Sequence, residues 1–525
     1  MIVAFLILLF GIVSNYYLTG AAYLDWFKND DFYFLVRYSV NLLPELQPQN
    51  SGLLSLLGDT FFRPVTRNLF WWLADEVCQM DYPCYLRIHV GLIILGSLML
   101  PGSIAIALRI TPRQTKKKYA LTPDGALDAL AITLPLSTAL LMSDITMDLA
   151  SWVSNTQASF TFLAFSTYLF IVLMAAGSGI LASRTFLMPS LVVEGMIALS
   201  NMGYYLATSW SSISAMIMWG HSRRGMVGML IKRIAFFTCL LLLYKHTVVS
   251  KIQPGMPYST SIDIDTFLIN LSFYYKTDGL SFFLYGTEVL SSFVLAILSR
   301  SAIKTEPHDA YERKIVTDRV KIQMLLNVLS AISLTPFLFQ TIQRYPYYLF
   351  LFRSVVWVNL LPTCLILGRC LVGTGNSTPK ARDERMRLYL VSIMISVLGM
   401  VSAERNPEFV RMSRERGEGA SLQFMKALYR LDPRPKDLCL VPSDDQRRPK
   451  DDPFYPDEFW WLAGHGNASS VYARQHNLSE ISLSYASFSS DCQADVIGTV
   501  KKTGQNQWRI DMKRHETQGP DLKNH

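Results

Sequence analysis

The chain has 525 residues, half of them hydrophobic, with 49 Lys and Arg against 41 Asp and Glu, a formal charge of +8 and a mean hydropathy of +0.23. That much apolar sequence excludes a soluble α/β enzyme. The basic excess does not point to nucleic acid either, because the cations gather in alternate loops rather than in a stripe interleaved with aromatics on a soluble module.

In chain order, apolar runs long enough to cross ~30 Å of hydrocarbon lie near 2–20, 86–108, 126–143, 158–180, 185–203, 204–220, 230–248, 279–299, 322–339, 347–371 and 387–403. These predict about eleven spans, of which 204–220, diluted by serines and threonines, is the weakest. The first run lacks a basic leader and is read as an uncleaved anchor, although Gly20-Ala21-Ala22 loosely resembles a cleavage site. The expected fold is an all-α polytopic membrane bundle with a small C-terminal extracytoplasmic α+β module. Three parts follow: residues 1–85, an anchor and a long first loop; residues 86–403, the bundle; and residues 404–525, a soluble module rich in Arg, Asp, Pro and Gly.

Arg109, Arg113 and Lys116 to Lys118 form one basic loop, and Arg223, Arg224, Lys232 and Arg233 a second. The series continues from Arg300 to Lys321 and from Lys380 to Arg387. With these on the cytoplasmic side, the loop 21–85, the loop 144–157, the segment 249–278, the turn around Arg344 and everything after about Glu404 face outward. Cys78 and Cys84 fall in the first outer loop and Cys439 and Cys492 in the tail, where an oxidising compartment permits a bridge within each pair. The segment from Asn68 to Glu76 carries Trp71 and Trp72 beside charges and suits a helix lying in the interface. In the tail, a helix from Pro407 to about Leu431 is followed by prolines that break regularity. Strand character is then visible from Ile481 to Phe488 and from Gln507 to Met512.

Among residues able to carry chemistry, Asp30 and Asp31 come first. A carboxylate at a membrane surface can take a proton from a hydroxyl or help hold a divalent ion beside a phosphate; the bland reading is a pair of solvated loop acids. Arg63 and Arg67 suit a phosphate with several oxygens, or snorkel beside lipid headgroups. Asp144 and Asp148, four residues apart, share a face if their turn is helical. Asp144 is a candidate second acidic wall, and Asp148 reads better as the polar cap of a hairpin. Arg344 defies the charge bias of an outer turn, which suits a phosphate ligand or lipid anchoring equally. Glu194 falls inside an apolar run and is expected to be paired or protonated. No Cys/His spacing reads as zinc.

Asp30-Asp31 after the first run, Phe62-Arg63-Pro64-Val65-Thr66, and Tyr85-Leu86-Arg87-Ile88-His89 entering the second resemble the opening of GT-C-type integral membrane glycosyltransferases. The resemblance continues at Ala150-Ser151-Trp152-Val153-Ser154-Asn155, at Ser183-Arg184-Thr185 with Met188-Pro189, and at Gln343-Arg344-Tyr345. Thr156-Gln157 and Arg184-Thr185 stand where that family carries charged pairs. The resemblance covers roughly residues 1–350. It implies transfer of a sugar from a polyprenyl-phosphate donor to a glycan, lipid or protein acceptor at the extracytoplasmic face of a bacterial inner membrane. Asp30 or Asp31 would be the general base of an inverting attack. Arg63, Arg67 and Arg344 would hold the donor phosphate. The partners expected are that donor, membrane lipids and the acceptor, with no nucleic acid; the cofactor is left open, a divalent metal ion being one option that the sequence does not require. The alternatives are a transporter or flippase of a lipid-linked or polar solute, and a structural membrane subunit whose tail binds partners.

Overall fold

The computed structural model describes residues 2–19, 32, 66, 76–79, 81–110, 123–150, 156–181, 183–198, 200, 202–219, 223–247, 263–302, 310–339, 346–372, 381–403, 420–444, 458–504 and 507–514. Each of the eleven apolar runs coincides with a helix. They are α1 (Ile2–Leu18), α2 (Tyr82–Ile110), α3 (Pro123–Leu141), α5 (Thr156–Ser178), α6 (Arg184–Ala198), α7 (Met202–Trp219), α8 (Arg223–Thr247), α9 (Ile264–Ala302), α10 (Ala310–Leu338), α11 (Phe350–Val372) and α12 (Ala381–Ala403). A short helix, α4 (Asp144–Ala150), lies between α3 and α5. Among the described residues, three stretches, Tyr82–Leu108, Thr156–Ser178 and Thr317–Leu338, are long and apolar enough to cross a membrane. The molecule is mostly helical with a small C-terminal sheet, and these three helices mark it as a membrane protein.

α2 packs along α5 and α3; α10 packs along α7, α9 and α11; α12 lies against α3 and α11. α11 is buried without a break from Phe350 to Thr363, the behaviour of a helix apolar on every side at the centre of a bundle. Close approach needs small residues: a Cβ on Gly96 would lie 2.4 Å from the Phe162 ring, so α2 and α5 meet closely only because that position is glycine. Pro101, Pro135, Pro189, Pro336 and Pro362 sit inside helices, which neighbouring helices tolerate in membranes. Large apolar side chains stay exposed on the perimeter, among them Ile231 and Leu242 of α8, Phe283 and Phe293 of α9, and Met394 of α12.

α9 departs from helical geometry at Asp278 (φ −144°, ψ 56°), immediately before the predicted span 279–299. Asp278 accepts the Ser281 N–H at 3.3 Å and so caps the second half of the helix. Its other carboxylate oxygen lies 3.2 Å from the Arg353 guanidinium. The first half, 264–277, is an added helical segment that hydropathy alone assigned to a loop.

The C-terminal module contains α13 (Ala420–Leu428), β1 (Asp437–Pro442), α14 (Glu458–Leu462), α15 (Asn467–Gln475), β2 (Ser482–Tyr485), β3 (Val496–Gly504) and β4 (Gln507–Arg514). The strand order is β2-β1-β3-β4, with β1 parallel to β2 and β3, and β3 antiparallel to β4. β2 and β4 match the predicted strands. β1 is a correction: prolines at 433, 435 and 442 suggest irregular chain, yet between them Leu438 to Val441 is a central strand buried on both faces. Leu438 and Leu440 face the larger core, while Cys439 and Val441 face a smaller one with Ala486 and Cys492. Cys439–Cys492 and Cys78–Cys84 are bonded, as the outer-loop reading pairs them. The C-terminal half of the predicted 407–431 helix is present as α13; its first part lies outside the described residues.

Candidate functional site

The expected site residues belong to the first loop, α4 and the α10–α11 link, and the described structure nearest them, α4 with the starts of α2 and α11, lies at one end of the bundle. Asp30, Asp31, Arg63, Arg67 and Arg344 are outside the described residues, but neighbours of the first loop's motifs are described. Phe32, next to Asp31, is fully buried, and its ring lies against Gly464 of the C-terminal module. A Cβ on Gly464 would come within 2.6 Å of that ring, and its φ of +56° also favours glycine. Thr66, three residues after Arg63, is buried and donates to the Ser200 carbonyl at 3.2 Å. Phe32 and Thr66 are thus each held by a part of the chain remote in sequence, one by the C-terminal module and one by the α6–α7 turn.

His89 is buried and ties three helices together. Its Nε2 donates to the Leu149 carbonyl at 3.0 Å, leaving Nδ1 as acceptor for the hydroxyls of Ser159 (2.9 Å) and Thr156 (3.4 Å). With both nitrogens engaged, His89 is a structural staple between α2, α4 and α5. The turn at Asp144 is helical, as a shared face with Asp148 requires. Ser143 caps α4 by accepting the Thr146 N–H at 3.1 Å. α4 packs on the short 3-10 turn Pro346–Leu349, which begins two residues after Arg344. α4, which Asp144 opens, is thereby held beside the first described residues after the α10–α11 link. The Ser183-Arg184-Thr185 segment is not: it opens α6 at the far end of α5, a 23-residue helix and so roughly 35 Å from Thr156.

Arg353 lies one turn into α11 at this end. It pairs with Asp278, lies 5.7 Å from the Trp357 ring centroid, and faces a narrow cleft lined by Leu136, Leu140, Trp357 and Ile395. Sequence reasoning passed over it. The signal was a cation inside the 347–371 run, which is costly in lipid unless used or paired.

Two more buried polar clusters lie deeper. Glu194 on α6 is paired with Arg233 on α8 and accepts from the Tyr168 hydroxyl and from Ser209 at 3.3 Å. Arg233 also donates to Ser212 (2.8 Å) and Ser190 (2.5 Å). This corrects the reading of Arg233 as a loop cation: α8 begins at Arg223, so Arg233 lies well inside the helix, 2% exposed. Arg319 is likewise buried, within α10 rather than in a loop. The second cluster joins α9, α10 and α11. Asn359 donates to Glu288 and to Asn327, both at 2.9 Å, and Asn327 donates to Ser292 at 2.7 Å. One turn further along, Gln323 donates to Ser291 (2.9 Å) and Thr363 (2.8 Å). Glu288 was missed although it lies inside the 279–299 run.

Among the described residues no three His, Cys, Asp or Glu side chains are grouped so as to hold a metal ion. No protein-family model matches the chain, and no curated protein or solved structure is significantly similar to it.

Proposed function

We propose that the protein is a membrane glycosyltransferase of the GT-C type, moving a sugar from a polyprenyl-phosphate donor to an acceptor at the end of the bundle that carries the C-terminal module. Asp30 or Asp31 deprotonates the acceptor hydroxyl, which attacks the anomeric carbon opposite the leaving phosphate and inverts its configuration. Arg63, Arg67 and Arg344 take up charge as it develops on that phosphate, and Asp144 forms a second acidic wall. The observation that carries this reading is the burial of Phe32, the chain neighbour of Asp31, against Gly464 of the folded C-terminal module. Both disulfides belong to segments at this end, which supports an extracytoplasmic face, with about eleven helices crossing the inner membrane.

Purified protein given a radiolabelled polyprenyl-phosphate sugar should move label to an acceptor, and the Asp30→Asn/Asp31→Asn double variant should lose roughly 10²–10⁴-fold in rate at matched stability. Near-normal transfer by that variant sinks the assignment. Arg63→Lys, which keeps charge but loses the planar fork, should weaken donor binding almost as much as Arg63→Ala. A cysteine placed at Lys117 should resist an impermeant reagent in intact cells. The second reading, a transporter, is favoured by the helix break at Asp278 together with the interior carboxyl Glu288, features that solute carriers use at their binding sites.

A further inference from the structure

Glu288 is fully buried in the interior of the helical bundle, and among the described residues no Lys, Arg or His forms an ion pair with it. Its Oε2 accepts from Asn359, while Oε1 has no donor. The Asn359 amide that makes that bond presents its own Oδ1, also buried and without a donor. One helical turn away, Gln323 spends its N–H groups on Ser291 and Thr363 and leaves Oε1 in the same condition. Three acceptor oxygens on one connected network thus lack positive charge or a donor. A bridging water would supply donors but would leave a carboxylate uncompensated in a low-dielectric interior. A small cation satisfies both needs, and hard cations prefer carboxylate and carbonyl oxygens.

We propose that Glu288 and Asn359, with Gln323 one turn away, form a binding site for a small monovalent cation, sodium or a proton, between α9, α10 and α11. Asn327 orients Asn359 through its Oδ1 and is held in turn by Ser292, so the amide oxygen of Asn359 is presented by a chain of hydrogen bonds rather than left to rotate. The titratable groups facing Glu288 are Tyr285 on its own helix and Cys364 on α11; from α10 the uncharged Asn327 donates to its backbone carbonyl, and Gln323 meets Ser291 one turn away. The site stands apart from the transfer reaction and does not rest on it.

The test uses purified full-length protein in detergent, unfolded by heat in sodium chloride or choline chloride at constant ionic strength, at mildly alkaline and mildly acidic pH. If sodium is the ligand, the midpoint rises saturably by about 2–5 °C at alkaline pH, the rise shrinks in acid as protons compete, and Glu288→Gln abolishes it. If the proton is the ligand, sodium has no effect, wild type loses stability from acid to alkaline pH, and Glu288→Gln removes that loss. Gln323→Met, which keeps the carboxyl, weakens a sodium response several-fold. Direct binding of radioactive sodium to wild type keeps the sodium arm readable should Glu288→Gln fold poorly. Identical salt and pH responses in wild type and Glu288→Gln, with no sodium bound, overturn the proposal.

Discussion

Glu194 and Glu288 are both acids buried inside the bundle, and their surroundings differ in one respect. Glu194 has a guanidinium, a phenol and a serine directed at it, and Arg233 is itself shared among Ser190, Ser212 and the Phe186 ring, 5.2 Å away. Glu288 has one amide, from Asn359, and no cation among the described residues. The first cluster is closed electrostatically within the protein and cross-links α5, α6, α7 and α8; the second is left open. Equal burial therefore does not mean equal role. The charge of the partner separates a structural acid from a ligand-binding one.

The sharpest break of this comparison is Arg233→Met, which strands a buried carboxylate and should cost about 3–5 kcal/mol in unfolding free energy. Adding Glu194→Met should recover most of that loss, because replacing a whole buried pair by apolar groups is often near neutral. Glu288→Gln, which keeps the hydrogen bond from Asn359, should change stability by less than about 1 kcal/mol without added cation. Equal losses for Arg233→Met and Glu288→Gln would erase the distinction drawn between the two acids.

The Asp278–Arg353 pair is an intermediate case. Its 3.2 Å separation qualifies as an ion pair, yet the facing carboxylate oxygen makes no aligned hydrogen bond. Asp278→Ala removes both this contact and the cap of the second half of α9, so a loss of about 2 kcal/mol is expected. Asp278→Asn should recover the capping share only. An Asn variant as damaging as Ala would mean that the charge, not the cap, dominates.

A further buried polar group lies outside the bundle, in the C-terminal module. Tyr429 packs on Tyr472, donates to the Ser469 hydroxyl at 2.8 Å and accepts the Ile481 N–H at 3.3 Å. Burial raises its phenol above the ordinary 10.0. The folded state then holds the proton more tightly than the unfolded one, so this contribution is complete below that ordinary value and is lost as pH rises through the folded value. Tyr429→Phe should cost about 1 kcal/mol at neutral pH and flatten the alkaline part of the stability profile. An unchanged alkaline slope would assign it to other groups.

Hydropathy is a sum over neighbours along the chain, and what depends on such sums was legible in the sequence. Eleven apolar runs became eleven helices, the weakest, 204–220, included, and two amphipathic stretches in the tail became β2 and β4. Each of the two expected cysteine pairs closed on itself. What a buried group touches depends instead on residues remote in sequence. Arg233 read as a loop cation because its counter-charge stands 39 positions earlier on another helix. Glu288 passed unnoticed because Asn359 is 71 positions away, and Asn327 another 32 from Asn359. β1 was hidden by its flanking prolines, since only pairing with strands on both sides makes Leu438 to Val441 a strand. Phe32 and Gly464 meet across nearly the whole chain, and no local pattern specifies that contact. Local polarity decided where helices form; the packing of distant segments decided which buried charges are answered and which remain open to a ligand.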